Sequence, residues 1–188
     1  MFYLVGLGNP DEEYEGTRHN TGRMAVMEFC RVNDFSDFEE DKKNLSLSAE
    51  GKAGKEKIAA FLPETFMNKS GSALKKIITS KKKAEQMIVV HDDIDLAFGK
   101  FKISFGKGSG GHKGVESIMR QVKTKDFWRV RIGIIPAGSK GKLKKPDGEK
   151  LLNFLMAKFK PDEKTALKKV FKAAGSEIEK IISGERKV

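Results

Sequence analysis

Residues 87–93 read MIVVHDD, an unbroken apolar run that ends in a histidine and two carboxylates. Four apolar residues without polar alternation suit a strand buried on both faces, so the stretch predicts an interior strand whose C-terminal end delivers His91, Asp92 and Asp93 into a loop. A second run of this kind, FYLVGL at residues 2–7, is followed by the polar NPDEEYEGTRHN, residues 9–20. That segment holds His19, one of three histidines in the chain.

Between these strands, TGRMAVMEFCRV (Thr21 to Val32) carries Met24, Val26, Met27, Phe29 and Cys30 near helical spacing and predicts a helix laid against a sheet. NLSLSAEG and EKIAAFLP predict two strands between Leu45 and Leu62 around the turn residues Gly51 and Gly54. Leu74, Ile77 and Ile78 mark a helix whose first turn lies near Asn68 to Ser72. Beyond residue 93, KFKISF alternates strictly, as in a strand with one solvated face. The glycine-rich GKGSGGHKG leads into a short helix, VESIMRQV. FWRVRIGII predicts a strand with Arg129 and Arg131 on one face, because side chains alternate. A basic loop over Lys140 to Lys150 and a closing helix over Glu163 to Ile182 complete the chain.

This alternation predicts an α/β fold: a single three-layer domain over residues 1–188, with a mixed twisted β-sheet flanked by helices. Ligands of such sheets gather beyond the carboxyl ends of the strands, so the loops after Leu7, around Asn68 and after Val90 are expected to share one cleft.

Lys and Arg number 37 against 26 Asp and Glu, a net charge of +11, which favours a polyanionic partner such as nucleic acid over a merely solubilising surface only if a site supports it. The single cysteine, Cys30, excludes an intramolecular disulfide and multi-cysteine metal sites. It suits a reducing cytoplasm, and no export signal or membrane-spanning segment is expected.

Several chemistries can be weighed from the residues. Gly106 to Gly111 satisfies G-x-G-x-x-G, the dinucleotide-binding pattern, yet the strand before it alternates and no acidic ribose ligand ends the next one. His91, Asp92, Asp93 and Asp95 lack metal-site spacing, and Asp93 and Asp95 read as turn or cap residues. There is no G-x-S-x-G elbow. His19 remains as a general base that needs neither metal nor nucleophile, with Asp92 as the partner that would fix its tautomer. The residues alone favour the plainer reading, in which His19 caps a turn and Asp92 a loop. Asn9 and Asn68 offer neutral amides able to hold a carbonyl or support an oxyanion.

Taken together, VGLGNPDEEYEGTRHNTG, ETFMNKSG, VVHDDIDLAFGKFKI, GSGGHKGVESI and FWRVRIGI closely resemble bacterial-type peptidyl-tRNA hydrolase, in order from Leu4 to about Ile135. The resemblance implies a monomeric, cytoplasmic, cofactor-free enzyme that hydrolyses the ester joining a peptide to the 3′-terminal ribose of tRNA. His19 matches the family's catalytic base and Asp92 the carboxylate that orients it. Asn9 and Asn68 match amides that hold the peptidyl part, Tyr14 a tyrosine near the ester, and His112 the histidine of the glycine-rich loop. Lys102 and Arg131 match basic residues that clamp the tRNA 5′-phosphate. One position departs: the family's usual G-H-N-G is here Gly111-His112-Lys113-Gly114, which puts a cationic donor where a two-way amide is expected. Lys113 is expected either to meet tRNA phosphate or to engage the peptide, and a tolerated surface substitution is equally open. The rival readings are an RNA-binding module of the same fold without turnover, and a dinucleotide-dependent enzyme resting on the glycine loop alone.

Overall fold

In a computed structural model of the chain, which describes residues 1–138 and 143–187, seven strands form one sheet in the order β2-β3-β4-β1-β5-β7-β6. Strands β1 (Phe2–Gly6), β4 (Glu56–Pro63), β5 (Met87–Ala97) and β7 (Trp128–Ile135) run parallel through its centre. The edges are antiparallel: β2 (Glu39–Asp41) and β3 (Ser46–Ala53) on one side, β6 (Phe101–Phe105) on the other. The sheet is mixed, as expected. The apolar runs of β1 and β5 are buried because both of their faces are covered.

One face packs α1 (Thr21–Val32) and α5 (Pro161–Ile182) against Leu4, Ile58, Val90 and Val130. The other packs α3 (Lys113–Val122) and a 3-10 helix, Met67–Leu74, against Val5, Phe61 and Val89. Helix and sheet layers therefore alternate as three. The short α2 (Lys81–Glu85) leads into β5, and α4 (Gly148–Met156) precedes α5.

Several local expectations change. The β3–β4 hairpin turns at Gly54, whereas Gly51 lies within β3, where an added Cβ would fall 2.3 Å from the Phe35 ring. His91, Asp92 and Asp93 stay inside β5, because β7 continues to pair with them. The helix expected after Asn68 is a 3-10 helix ending at Leu74, with Ile77 and Ile78 in the turns beyond it. Met27 points away from the core and is exposed, while Phe29 and Cys30 are buried. Part of the basic loop expected over Lys140 to Lys150 lies outside the described residues, and its end, from Gly148, is the first turn of α4. The short acidic edge strand β2 had no apolar pattern to announce it.

The topology of the parallel strands creates the site. From β1 the chain crosses by α1 towards β4, whereas β5 lies on the other side of β1 and leads towards β7. This reversal opens a crevice beyond the carboxyl ends of β1 and β5, the usual place for a ligand in an open α/β sheet.

Candidate active site

A 3-10 turn, Arg18–Asn20, follows the β1 loop and leads directly into α1. All three of its polar side chains are buried, so each needs a partner. They find partners in three directions: Arg18 on Glu163, His19 on Asp92, Asn20 on Asn9.

The turn reaches β5 because the first turn of α1 contains Gly22, whose Cβ, if present, would lie 2.1 Å from the Val90 carbonyl oxygen. His19 Nδ1 is 3.0 and 3.1 Å from the two Asp92 carboxylate oxygens. Asp92 is 2% exposed. Because a buried carboxylate only accepts, Nδ1 carries the proton and donates, and Nε2 keeps its lone pair. Among the described residues His19 Nε2 has no partner, and His19 lines a cleft of about 300 Å³.

A second imidazole bonds the same carboxylate. His112 Nε2 donates to Asp92 Oδ1 at 3.0 Å, while its Nδ1 accepts the Val115 N–H as the N-cap of α3. Both nitrogens of His112 are thereby committed. Its loop comes this close because residue 114 is glycine: a Cβ there would meet Met67 Sδ at 2.5 Å and Leu7 Cδ1 at 2.9 Å. His91, the third histidine, lies with its ring centroid 4.7 Å from that of His112, and its Nδ1 donates to the Asp92 carbonyl.

The charges follow from these contacts. Burial acts most strongly on Asp92 and would raise its pKa, but the imidazoles of His19 and His112 and the hydrogen bonds they donate prevail, holding the carboxyl well below the usual carboxylate range. Burial would lower the His19 pKa; the Asp92 charge and hydrogen bond together outweigh it, and the value ends above the ordinary 6.5. His91 is pushed well below that value by burial and by His112, so it stays neutral. Cys30, on the buried face of α1, has its thiol pushed up to about 12 by burial, which fits a core residue and not a nucleophile.

Asn9 is held at three atoms. Its N–H donates to Asn20 Oδ1 at 2.9 Å, its carbonyl accepts from Asn20 Nδ2 at 2.9 Å, and its Oδ1 accepts the Met67 N–H at 2.8 Å. An oxygen must face the Met67 N–H, so the amide orientation is fixed by the network and Nδ2 is left as the donor. Asn9 borders a wider cavity, about 1080 Å³, beside α1 and α5, and does not line the cleft of His19. Asn68, next to Met67, is exposed and does not line that cleft either. Tyr14 is half-buried in the 3-10 turn Glu12–Tyr14, away from the cleft lining.

Lys113 lines the cleft at its mouth and lies 3.4 Å from Glu116 on the exposed face of α3. The opposite wall comes from α4, through Leu151, Leu152 and Leu155. On the sheet, Asp92 and Asp93 point to opposite faces, since side chains alternate along a strand. Asp93 Oδ2 accepts from Arg131 Nε at 2.6 Å, and Arg131 sits directly opposite Lys102 in the antiparallel register.

The structure thus brings His19, Asp92, His112 and Lys113 to one cleft, fixes Asn9 behind it through Met67, and pairs Lys102 with Arg131 on the other face of the sheet. Sequence reasoning missed Asn20, Arg18 and the α4 wall. Asn20 at least adjoins His19, but nothing in the sequence links Arg18 to Glu163. His19, Asp92 and His112 also form a set that could hold a metal ion, one ligand atom from each lying within 4.8 Å of the others. Their spacing in the chain, 73 and 20 residues, hid that cluster. The dinucleotide reading of Gly106 to Gly111 fails on topology. The strand before that loop is the antiparallel edge strand β6, so β6, α3 and β7 make no parallel βαβ unit.

The family model described as peptidyl-tRNA hydrolase matches residues 3–188. The chain belongs to the peptidyl-tRNA hydrolase family. A peptidyl-tRNA hydrolase of Aquifex aeolicus (strain VF5) is 40% identical over 173 residues, 91% of this chain and 84% of its own. That of Thermoanaerobacter sp. (strain X514) is 40% identical over 186 residues, 98% and 95% of the two chains. The crystal structure of the peptidyl-tRNA hydrolase from Acinetobacter baumannii superposes with a TM-score of 0.85 at 28% identity, covering 98% of this chain and 90% of that one. Like its relatives, this member of the peptidyl-tRNA hydrolase family is an enzyme of the ester-hydrolase class. Among its described residues no helix is long and apolar enough to cross a membrane.

Proposed function

We propose that the protein hydrolyses the ester between a peptide and the 3′-terminal ribose of tRNA, with His19 as general base and Asp92 as the carboxylate that orients it. The observation that carries this reading is the pairing of His19 Nδ1 with Asp92, which leaves Nε2 as an acceptor at the cleft. Water on that side loses a proton to Nε2 as its oxygen adds to the ester carbonyl carbon. The carbonyl electron pair moves onto oxygen, and Asn9 Nδ2, held by the Met67 N–H and Asn20, is the donor assigned to that charge, which requires the ester carbonyl to sit where the His19 cleft meets the cavity that Asn9 and Asn20 border. Collapse expels the ribose oxygen, which takes the proton from protonated His19. Free peptide and tRNA result. An ester is already activated, so one base and oriented donors suffice without a covalent intermediate.

Asn68, exposed beside Met67, and Tyr14 are assigned to the peptide and the ribose end of the substrate. His112, matched to the histidine of the glycine-rich loop, is assigned a positioning role here. With both nitrogens engaged, it positions Asp92. Lys102 and Arg131 are assigned to a tRNA phosphate. Like charges directly opposite across two strands repel, and with Asp93 offsetting only one of them a phosphate between the pair relieves the remainder. We take the working unit to be one monomeric domain over residues 1–188, acting in the cytoplasm without a cofactor.

The test is release of free tRNA from peptidyl-tRNA in the presence of a chelator. Release that persists supports the reading. Binding without release would favour an RNA-binding protein of the same fold, and loss on chelation would put a metal at His19, Asp92 and His112.

A further inference from the structure

Arg18 has no part in the chemistry above, yet it is buried beside the proposed base. Its Nη2 donates to both carboxylate oxygens of Glu163 at 3.0 Å. The guanidinium lies over the rings of Phe154 and Phe159, 4.8 and 4.7 Å from their centroids. Among the described residues its Nε and Nη1 have no hydrogen-bond partner, so Glu163 and the two ring faces carry the compensation of a buried charge. Glu163 in turn accepts the Lys160 N–H at 2.8 Å at the start of α5.

The backbone fastens the same two segments. Arg18 N–H donates to the Ala157 carbonyl at 3.0 Å, Phe159 N–H donates to the Gly16 carbonyl at 2.9 Å, and Thr17 bridges Lys158 in antiparallel fashion. The end of α4 is therefore tied to the turn that carries His19. Helix α4 contains no buried residue of its own, while Leu151, Leu152 and Leu155 wall the cleft. A helix with so little core contact takes its position from its ends.

We infer that Arg18 is a positioning residue: through Glu163, Phe154 and Phe159 it holds α4 as a preformed apolar wall across the cleft from His19, so that the peptide part of the substrate meets an ordered surface. This rests on the hydrolase reading for its effect on turnover, but not for its effect on α4. A preformed wall lowers the ordering cost of binding, so its loss belongs in KM and leaves the proton transfer at His19 in place.

The experiment compares the wild type with Arg18→Lys and Glu163→Gln by amide hydrogen exchange across residues 149–156 and by steady-state kinetics on peptidyl-tRNA. Lysine keeps the charge but loses the planar fork and the ring stacking; glutamine keeps the shape and weakens the pair. The expected result for Arg18→Lys is exchange in α4 faster by about tenfold with β1 and β5 unchanged. KM should rise about fivefold, with kcat and the pH midpoint of kcat/KM little altered. Glu163→Gln should move both in the same direction by less. Unchanged α4 exchange and KM in both variants would overturn the inference. So would uniformly faster exchange with KM unmoved, which is the signature of lost global stability alone. If Arg18→Lys does not fold, Glu163→Gln decides by the same two readouts. Should the wild type release no tRNA, the hydrolase reading fails, while the exchange measurement still decides whether Arg18 holds α4.

Discussion

Asp92 accepts from two imidazoles at once, and its charge and hydrogen bond, set against burial, decide the protonation of His19. Because the His19 pKa is raised above 6.5, a base that must be neutral is expected to give kcat/KM that falls as pH drops through a value above 6.5. In Asp92→Asn the raising influence is gone and burial remains, so the midpoint should move below that of the wild type and the plateau should drop; a pH–rate profile checks both. The same shifts act on stability. The raised His19 contributes fully below its unfolded value near 6.5 and loses that contribution as pH rises through its folded value. The lowered Asp92 contributes above its unfolded value near 3.8 and loses it only as pH falls through its far lower folded value. Asn9 allows a separate test, because its two amide atoms have different tasks. Asn9→Asp keeps the oxygen that accepts the Met67 N–H but removes the donor and adds charge where an oxyanion forms. Turnover should fall by about 10²–10³ with the melting temperature nearly unchanged, whereas equal turnover would remove Asn9 from the oxyanion.

At the level of elements, the site depends on how closely the 3-10 turn and α1 approach β5. Gly22→Ala would place a methyl group within 2.1 Å of the Val90 carbonyl oxygen, backbone that cannot swing aside. The expected cost is about 1–3 kcal/mol, read by denaturant unfolding, with activity falling further as His19 draws away from Asp92. Strands β1 and β5 and helix α1 were legible in the sequence because each has a pattern that its burial requires: unbroken apolar runs for the two strands, a 3.6-residue stripe for the helix. Helix α4 was not. It buries no residue, so no stripe was demanded of it, and the lysines before it read as loop. Strand β2 is three residues, Glu39–Asp41, too short and too charged to declare itself. The 3-10 helix Met67–Leu74 packs tightly on α3, where a Cβ at Gly71 would lie 2.2 Å from the Ser117 carbonyl oxygen. Tertiary contact of that kind leaves no periodic trace. At the site, the His19–Asp92 pair could be anticipated from strand-end logic. The commitment of both His112 nitrogens and the Arg18–Glu163 pair could not, because each joins residues that only the fold brings together.

For the whole molecule, a charge of +11 becomes informative once it is placed. Asp92 turns to one face of β5 and serves His19; Asp93 turns to the other and serves Arg131, beside Lys102. One strand thus links the cleft to a cationic pair suited to phosphate. Lys102→Ala is expected to weaken tRNA binding and to reduce the slope of log K against log salt by about 1, with kcat at saturating substrate retained; binding titrations at several salt concentrations check this. An unchanged slope would place the phosphate elsewhere. The central claim is that His19 performs the proton transfer, and it is tested most directly by single-turnover hydrolysis of peptidyl-tRNA with enzyme in excess, wild type against His19→Ala. The rate of ester cleavage should fall by about 10²–10⁴ while the Kd for peptidyl-tRNA stays close to that of the wild type. A variant that binds as before and cleaves at the wild-type rate would contradict the assignment.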